Sequence, residues 1–321
     1  MIPFFIFVIV KNLCIIPKTY EKKEKFLEKN QTQAYKYALI SVLLWSTVAT
    51  AFKVSLSVMS PLELLFYSSL SSLLILGGIL AYQKKLNEAF LHVKKQPLLV
   101  VVLGAINPFI YYLVLFKAYD VLPAQEAQAI NYTWALMFAY LSVIFLRQKL
   151  SRADIIAGFI CYFGVLIIAT KGEPFSLNFS DAFGVFLALF STVLWSMYWI
   201  FNSKSSADAV VGLFCNFLVG VIFIALYIVY VGGITLPSLE AGLGAVYVGF
   251  FEMGITFVFW LRAVKLSHSV SKISNLIFLS PFLSLVFIHF FVGEEILPST
   301  IIALVLIIFG LVFQQKYKKK I

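Results

Sequence analysis

The sequence contains little charge. Asp, Glu, Lys and Arg make up 12% of its 321 residues, whereas hydrophobic residues make up 61%. The mean hydropathy is +0.96, far above that of an ordinary soluble domain. The sequence also lacks a polar stretch long enough to fold into a separate catalytic or nucleotide-binding domain. We therefore expect a membrane protein that acts inside the bilayer or at its two surfaces.

Motifs of several enzyme and pump classes are missing. The sequence has no G-x-x-x-x-G-K-[ST] phosphate loop, which argues against coupling to nucleotide hydrolysis. It has no H-E-x-x-H or G-x-S-x-G motif and no pair of intramembrane aspartates, so an intramembrane enzyme is the weaker alternative. A channel is disfavoured because no apolar run carries a ring-forming series of like charges.

Cysteine is scarce as well. The three cysteines, Cys14, Cys161 and Cys215, show no pairwise spacing, which excludes a disulfide framework and a cysteine-based metal site. Cys161 and Cys215 fall within apolar runs, so we expect small buried thiols there. We predict no metal site, no cofactor and no nucleic-acid partner.

Long hydrophobic runs dominate what is present. A helix rises 1.5 Å per residue, so it needs roughly 20 apolar residues to cross about 30 Å of hydrocarbon. Such runs occur ten times, which predicts an all-α polytopic membrane protein with ten transmembrane helices. The predicted spans 1 to 10 are Tyr37–Ser57, Leu62–Tyr82, Leu98–Phe116, Ala124–Leu146, Ala153–Thr170, Asp181–Phe201, Val210–Val231, Ala241–Leu261, Ser269–Phe291 and Ser299–Gln314.

The basic residues predict the orientation of these spans. With a cytosolic N-terminus, all 25 Lys and Arg residues except Lys53, Lys117 and Lys171 lie in cytosolic segments. This asymmetry follows the positive-inside rule, which also accounts for the net charge of +10. We predict a multi-pass protein of the plasma (inner) membrane with both termini in the cytosol.

Two pairs of short stretches reveal an internal repeat. "LLWSTV" at Leu43–Val48 is echoed by "VLWSMY" at Val193–Tyr198, near the centres of spans 1 and 6. "DIIAGFICYFGVL" at Asp154–Leu166 matches "TIIALVLIIFGLV" at Thr300–Val312. The chain therefore consists of two related five-span units.

The odd number of spans in each unit makes the second unit run upside down relative to the first. Inverted repeats of this kind place a substrate site near the membrane midplane and suit alternating access. The units cover residues 37–170 and 181–315. Residues 1–36 form an N-terminal extension in the cytosol or on the membrane surface, and residues 316–321 form a basic cytosolic tail.

The sequence resembles the EamA family of the drug/metabolite transporter superfamily over residues 34–315. The resemblance lies in "LWS" early in each unit, "NYTWAL" in span 4 and "GEE" after span 9. Ala135 and Gln148 depart from it, since the family often has Pro and Glu at these places. The resemblance implies an inner-membrane transporter that exports amino acids or related small metabolites, with multidrug efflux or another metabolite carrier as the alternative.

Glu252 is the deepest acidic residue of the sequence. It lies about eleven residues into span 8, roughly 16 Å deep, and its repeat counterpart lies near Asn107 in span 3. An ionised group at this depth costs about 3 kcal/mol, so it implies a cavity, a partner or a proton. We expect Glu252 to couple transport to protons or to bind a substrate amine. The alternative is a carboxyl that only hydrogen-bonds neighbouring helices.

Lys53 and Glu126 are the remaining charged residues within spans, and their depths match. One hypothesis is an ion pair that lines the outer vestibule. The alternative is that the long lysine side chain extends to water at the interface.

Polar side chains of span 4 share one helix face. Gln125, Gln128 and Tyr132 follow i, i+3, i+7 spacing, and Asn131 lies beside them. Such a stripe suits recognition of a polar metabolite, although hydrogen bonds between helices could account for half of it. Further candidate residues at comparable depth are Asn107, Tyr111, Tyr112 and Asn275.

Two tryptophans occupy the middle of spans, whereas membrane tryptophans usually favour the interfaces. Trp45 and Trp195 could form a cavity wall that stacks on substrates, or they could belong to the ordinary core. The expected partners are a small-molecule substrate, protons where transport is coupled to them, and the lipid bilayer. Small residues such as Ala245 and Gly249 leave a homodimer open.

Overall fold

The computed structural model describes residues 30–147, 149–176, 179–268, 273 and 276–317. Within these residues the chain is helical and contains no strand. Nine of its helices are long and apolar enough to cross a bilayer, and a shorter apolar helix lies in the predicted ninth span. The predicted all-α, ten-span architecture is confirmed. The observed spans 1 to 10 are Gln31–Leu56, Pro61–Tyr82, Pro97–Val121, Ala124–Phe145, Arg152–Ala169, Ala182–Asn202, Ala209–Tyr230, Leu239–Val264, Leu276–Val292 and Pro298–Tyr317.

Short polar residues set where several spans begin. Span 2 starts with a capping box in which Ser60 and Glu63 satisfy each other's backbone N–H groups. Span 5 starts with the equivalent box of Ser151 and Asp154. At the start of span 6, the Asp181 carboxylate accepts a hydrogen bond from the Gly184 N–H at 2.6 Å. These caps satisfy backbone donors that the first helical turn leaves without partners.

Five spans are not continuous α-helices. Span 1 bends at Thr47, and span 4 turns between the segments Ala124–Asn131 and Trp134–Phe145. Span 3 is kinked near its middle, at Asn107 within Ala105–Ile110, and span 8 contains a π-helical turn at Val248–Glu252. Span 9 has two breaks, with a 3₁₀ turn at its start and a π-helical turn at its end. These breaks were not predicted from the hydrophobic pattern.

The two five-span units pack face to face. Span 1 lies against span 8, and the related contact places span 6 against span 3. Spans 2 and 7 also pack together, as do spans 5 and 10. These contacts join the two units, and buried residues of both units form one hydrophobic core.

Two glycines at equivalent positions of the repeat permit the close crossing of spans 5 and 10. A Cβ atom on Gly164 would come within 2.9 Å of the Ala303 carbonyl oxygen, and one on Gly310 within 2.6 Å of Cys161 Sγ. Neither gap accommodates a larger side chain. The glycines that align in the repeat thus face each other's helices.

Candidate functional site

The candidate site lies at the breaks of spans 3 and 8. Glu252 is the last residue of the π-helical turn of span 8, midway along the span. Asn107 lies at the kink of span 3, with a non-helical backbone (φ −137°, ψ 116°) before Pro108. The two breaks occupy corresponding places in the two units. Interrupted helices of this kind expose backbone and side-chain groups to cavities, and π-helical turns often occur at functional sites.

The Glu252 carboxylate points into the protein. Its side chain is 3% exposed, and the Tyr112 hydroxyl donates a hydrogen bond to Oε1 at 3.2 Å. Tyr112 belongs to span 3 of the first unit, so this bond connects the two units. A carboxylate held in this way does not contact the surrounding lipid.

A small cavity adjoins Glu252, and residues from spans 1, 3, 4 and 8 line it. Its polar lining consists of one carboxylate, two phenols and two amides. The lining residues are Val48, Ala49, Phe52, Tyr111, Leu115, Tyr119, Gln128, Asn131 and Glu252. No Lys, Arg or His from the described part of the chain is among them. The cavity therefore combines hydrogen-bonding groups with a single group that can carry negative charge.

Tyr112 lines a second small cavity. Its lining residues are Asn107, Tyr112, Trp195, Tyr198, Leu213, Phe217, Met253 and Phe257. Because Tyr112 lines this cavity and donates to Glu252, which lines the first, one hydrogen bond joins residues of the two linings. Asn216 does not line the cavity, but its Nδ2 donates a hydrogen bond to the hydroxyl of the lining residue Tyr198 at 3.1 Å.

The two central tryptophans occupy different places. Trp195 stacks on Tyr111, with ring centroids 4.4 Å apart and an interplanar angle of 23°, and it lines the second cavity. Trp45 lines neither cavity. Its ring centroid lies 5.4 Å from that of Trp260 and 5.6 Å from that of Phe257. Trp45 therefore packs against Phe257, which lines the second cavity.

The polar stripe of span 4 divides between two environments. Gln128 and Asn131 line the cavity beside Glu252, and Asn131 also donates to Ser191 Oγ at 3.0 Å. Tyr132 is buried at the turn between the two segments of span 4. Gln125 instead lies at the span's beginning. The remaining candidate, Asn275, lies outside the described residues.

Lys53 and Glu126 bond different partners. Lys53 Nζ donates to the carbonyl oxygens of Tyr119 at 2.9 Å and Leu122 at 2.7 Å. Glu126 accepts a hydrogen bond from the Ser180 hydroxyl. Within the described residues the hypothesised ion pair is therefore not formed. The lysine also does not extend freely to water, because the end of span 3 holds its ammonium group.

Glu294 of the "GEE" sequence forms a contact that the sequence did not suggest. Its carboxylate accepts hydrogen bonds from the backbone N–H groups of Ala124 at 2.6 Å and Gln125 at 3.2 Å. It therefore caps span 4 of the other unit, where the helix N-terminus favours negative charge. Gln125 reinforces the junction, since its side chain bonds the Glu295 carbonyl at 2.9 Å and the Thr300 hydroxyl at 2.7 Å.

Comparison with known proteins decides the family. The model of the EamA-like transporter family matches residues 32–170 and 182–314, one match for each five-span unit. The chain belongs to the EamA-like transporter family. The resemblance inferred from the short motifs is thereby confirmed, as is the arrangement in two repeats.

One relative and one solved structure are similar to large parts of the chain. An uncharacterized transporter of Clostridium kluyveri is 28% identical over 200 residues, which covers 59% of this chain and 62% of that protein. The match thus spans less than two thirds of the relative's length. A solved crystal structure superposes with a TM-score of 0.59 at 22% identity, covering 88% of this chain and 96% of the other. That likeness concerns the fold alone.

Several residues of this EamA-like site were not among the predicted ones. Tyr119 and Tyr198 line the cavities next to the predicted residues. Tyr119 follows Tyr112 at i+7, and Tyr198 follows Trp195 at i+3, so helical periodicity could have identified both. Glu294 offered no comparable signal, because its partners are backbone groups of another span.

Proposed function

We propose that this EamA-like protein is a secondary transporter that exports amino acids or related small metabolites. One observation supports this proposal above all, namely the buried Glu252 carboxylate beside a cavity that both units line. Ionisable residues inside a membrane bundle commonly mark substrate or ion pathways. A site between inverted units becomes accessible from each side in turn when the units exchange conformations.

The lining suits a substrate with an amine and a small polar or aromatic body. The carboxylate of Glu252 can accept hydrogen bonds from an ammonium group, while Gln128 and Asn131 offer donors and acceptors beside it. The same carboxylate can hold a proton when the amine has left. Because one ligand displaces the other, this arrangement would couple export to the proton gradient.

Multidrug efflux is the second candidate, and the stacked pair of Tyr111 and Trp195 favours it. Aromatic faces attract organic cations, and planar drugs stack on them. The two candidates differ in the substrates that compete for the site. A cationic dye should displace a labelled amino acid if both use the cavity, and should have no effect if amino acids alone are recognised.

Transport in liposomes tests the proposal. The protein is reconstituted, a pH gradient is imposed, and uptake of labelled amino acids is compared for Glu252→Gln and Glu240→Gln. Glu240 is exposed in the first turn of the same span and serves as the matched control. We expect Glu252→Gln to abolish gradient-driven transport and Glu240→Gln to leave it unchanged. Wild-type rates with unchanged pH dependence in Glu252→Gln would overturn the proposal.

Two further measurements complete the design. Tyr112→Phe removes the hydroxyl that bonds Glu252 but keeps the ring, so we expect weaker transport rather than none. Chemical analysis of the recovered substrate addresses the alternative of an intramembrane enzyme. Recovery of a converted product would favour catalysis, whereas unchanged substrate favours transport.

A further inference from the structure

A short amphipathic helix lies between spans 2 and 3, at the end of the bundle that the basic residues predict to face the cytosol. This surface helix covers Leu86–Lys95, and its ten residues are about 15 Å long, too short to cross the hydrocarbon. Lysines flank it on both sides, with Lys84 before it and Lys94 and Lys95 in its last turn. Its composition therefore differs from that of the spans.

Packing against span 7 determines which face of the surface helix is exposed. Ala89 and His92 are buried, and Cys215 Sγ of span 7 lies 3.6 Å from the Ala89 carbonyl oxygen. Gln96 extends this attachment, because its Nε2 donates to the Lys204 carbonyl at 3.2 Å in the loop after span 6. The helix is thus held along one side, and its opposite side faces away from the protein.

The outward face carries large apolar residues. Leu86 is 47% exposed and Phe90 is 71% exposed, and their i, i+4 spacing places them on one line along the helix. Tyr82 and Leu98, at the neighbouring ends of spans 2 and 3, are 91% and 76% exposed. Apolar side chains on a short charged helix are typical of helices that lie in the plane of the membrane interface.

The exposed lysines on and beside the surface helix outnumber its one exposed acidic residue, Glu88, so the region carries net positive charge. Lys94 continues the line of Leu86 and Phe90 by one more turn, and Lys84 and Lys95 are exposed beside it. Lys85 is engaged with Asp208 at 3.5 Å, but within the described residues no ion pair involves the other three lysines. Basic residues near anionic headgroups strengthen binding to the membrane surface.

We propose that the surface helix binds anionic phospholipids, with Leu86 and Phe90 among the acyl chains and Lys84, Lys94 and Lys95 at the phosphates. Charge complementarity supports this occupant, since a neutral leaflet would offer the lysines no counterpart. The lipid site is separate from the cavity at Glu252. It therefore does not depend on the identity of the transported substrate.

Lipid titration of the full-length protein tests the charges. Detergent-purified protein is titrated with phosphatidylglycerol or phosphatidylcholine, and bound lipids are counted by native mass spectrometry. We expect the double variant Lys94→Gln/Lys95→Gln to weaken phosphatidylglycerol binding by about fivefold per lysine, or about 25-fold. The matched double variant Lys117→Gln/Lys171→Gln, predicted to lie at the opposite end, should change it by less than about twofold.

Spin labels test the depth of the helix independently of its charges. Labels are introduced by Phe90→Cys and by Asn87→Cys, an exposed polar neighbour, and the protein is reconstituted in phosphatidylglycerol liposomes. We expect oxygen to relax the label at position 90 and a water-soluble nickel complex to relax the label at position 87. Equal exposure of both labels to water would overturn the proposal, as would equal lipid affinities of the two double variants.

Discussion

The closest backbone contact of the site gives a sharp structural prediction. Gly249 lies in the π-helical turn that carries Glu252, and it packs against span 2. A Cβ atom there would overlap the carbonyl oxygen of Ser68 and would lie 2.7 Å from Ser71 Cβ. Neither neighbour can rotate away, because one is backbone and the other is the first side-chain atom. Since carbon atoms prefer separations of about 3.5–4.0 Å, Gly249→Ala should push the turn outward by roughly 1 Å.

The expected magnitude follows from two opposing effects. Overpacking of a tight contact costs about 1–3 kcal/mol, whereas Gly→Ala in an open helix position gains about 0.5–1 kcal/mol. Gly242→Ala in the same span measures the gain alone, because its nearest atom would be Pro237 Cγ at 3.8 Å. Because both variants share the gain, we expect them to differ by the overpacking cost alone, about 1–3 kcal/mol in unfolding free energy.

Thermal unfolding in detergent, followed by tryptophan fluorescence, is the assay, together with transport in liposomes. Gly249→Ala should lower the apparent midpoint and the transport rate, since the displaced turn moves Glu252 away from Tyr112. Gly242→Ala should match or exceed the wild type in both. Equal midpoints and equal rates for the two variants would refute the reasoning from close packing.

Two further variants test other contacts. Glu294→Ala removes the carboxylate that caps span 4, so we expect the unfolding free energy to fall by about 1–2 kcal/mol. Glu295→Ala, whose side chain is exposed, should stay within about 0.5 kcal/mol, and equal losses would contradict the capping role. Burial lowers the pKa of the His92 imidazole, so the unfolded chain binds the proton more tightly and stability falls as the pH drops below 6.5. In His92→Gln, the thermal midpoint should depend less on pH than in the wild type when it is measured above and below pH 6.5. An unchanged pH dependence in the variant would show that another group causes it.

Hydropathy and loop charge predicted the ten spans because burial in lipid constrains composition over whole helices. The breaks inside the spans depend on individual residues, and their signals are uneven. Pro108 marks the break in span 3, since proline removes a backbone donor. The π-helical turn of span 8 contains no proline, and its sequence signals are Gly249 within it and Gly254 after it.

The sequence predicted how far along each span the candidate residues lie, but not which neighbours their side chains contact. Lys53 and Glu126 lie at matching depths, yet each side chain reaches a different neighbour. Gln125 and Gln128 share a predicted face, but a three-residue step turns the helix by about 60° and advances it by about 4.5 Å. That step is enough to direct Gln125 to Thr300 and Gln128 to the cavity. Such choices depend on which helices become neighbours, and hydropathy and helical periodicity do not specify that.

The two units show which parts of such a repeat serve packing and which serve chemistry. Gly164 and Gly310 are identical because each must admit the other helix at the crossing of spans 5 and 10. Asn107 and Glu252 occupy matching breaks but differ in chemistry, since a carboxylate can take up and release a proton and a side-chain amide stays neutral. If the units alternate as proposed, the titratable group therefore belongs to one unit while the conformational change involves both. Replacing Asn107 by Asp would place a second carboxylate at the equivalent break, and a changed number of protons per transported substrate would locate the coupling at these two positions.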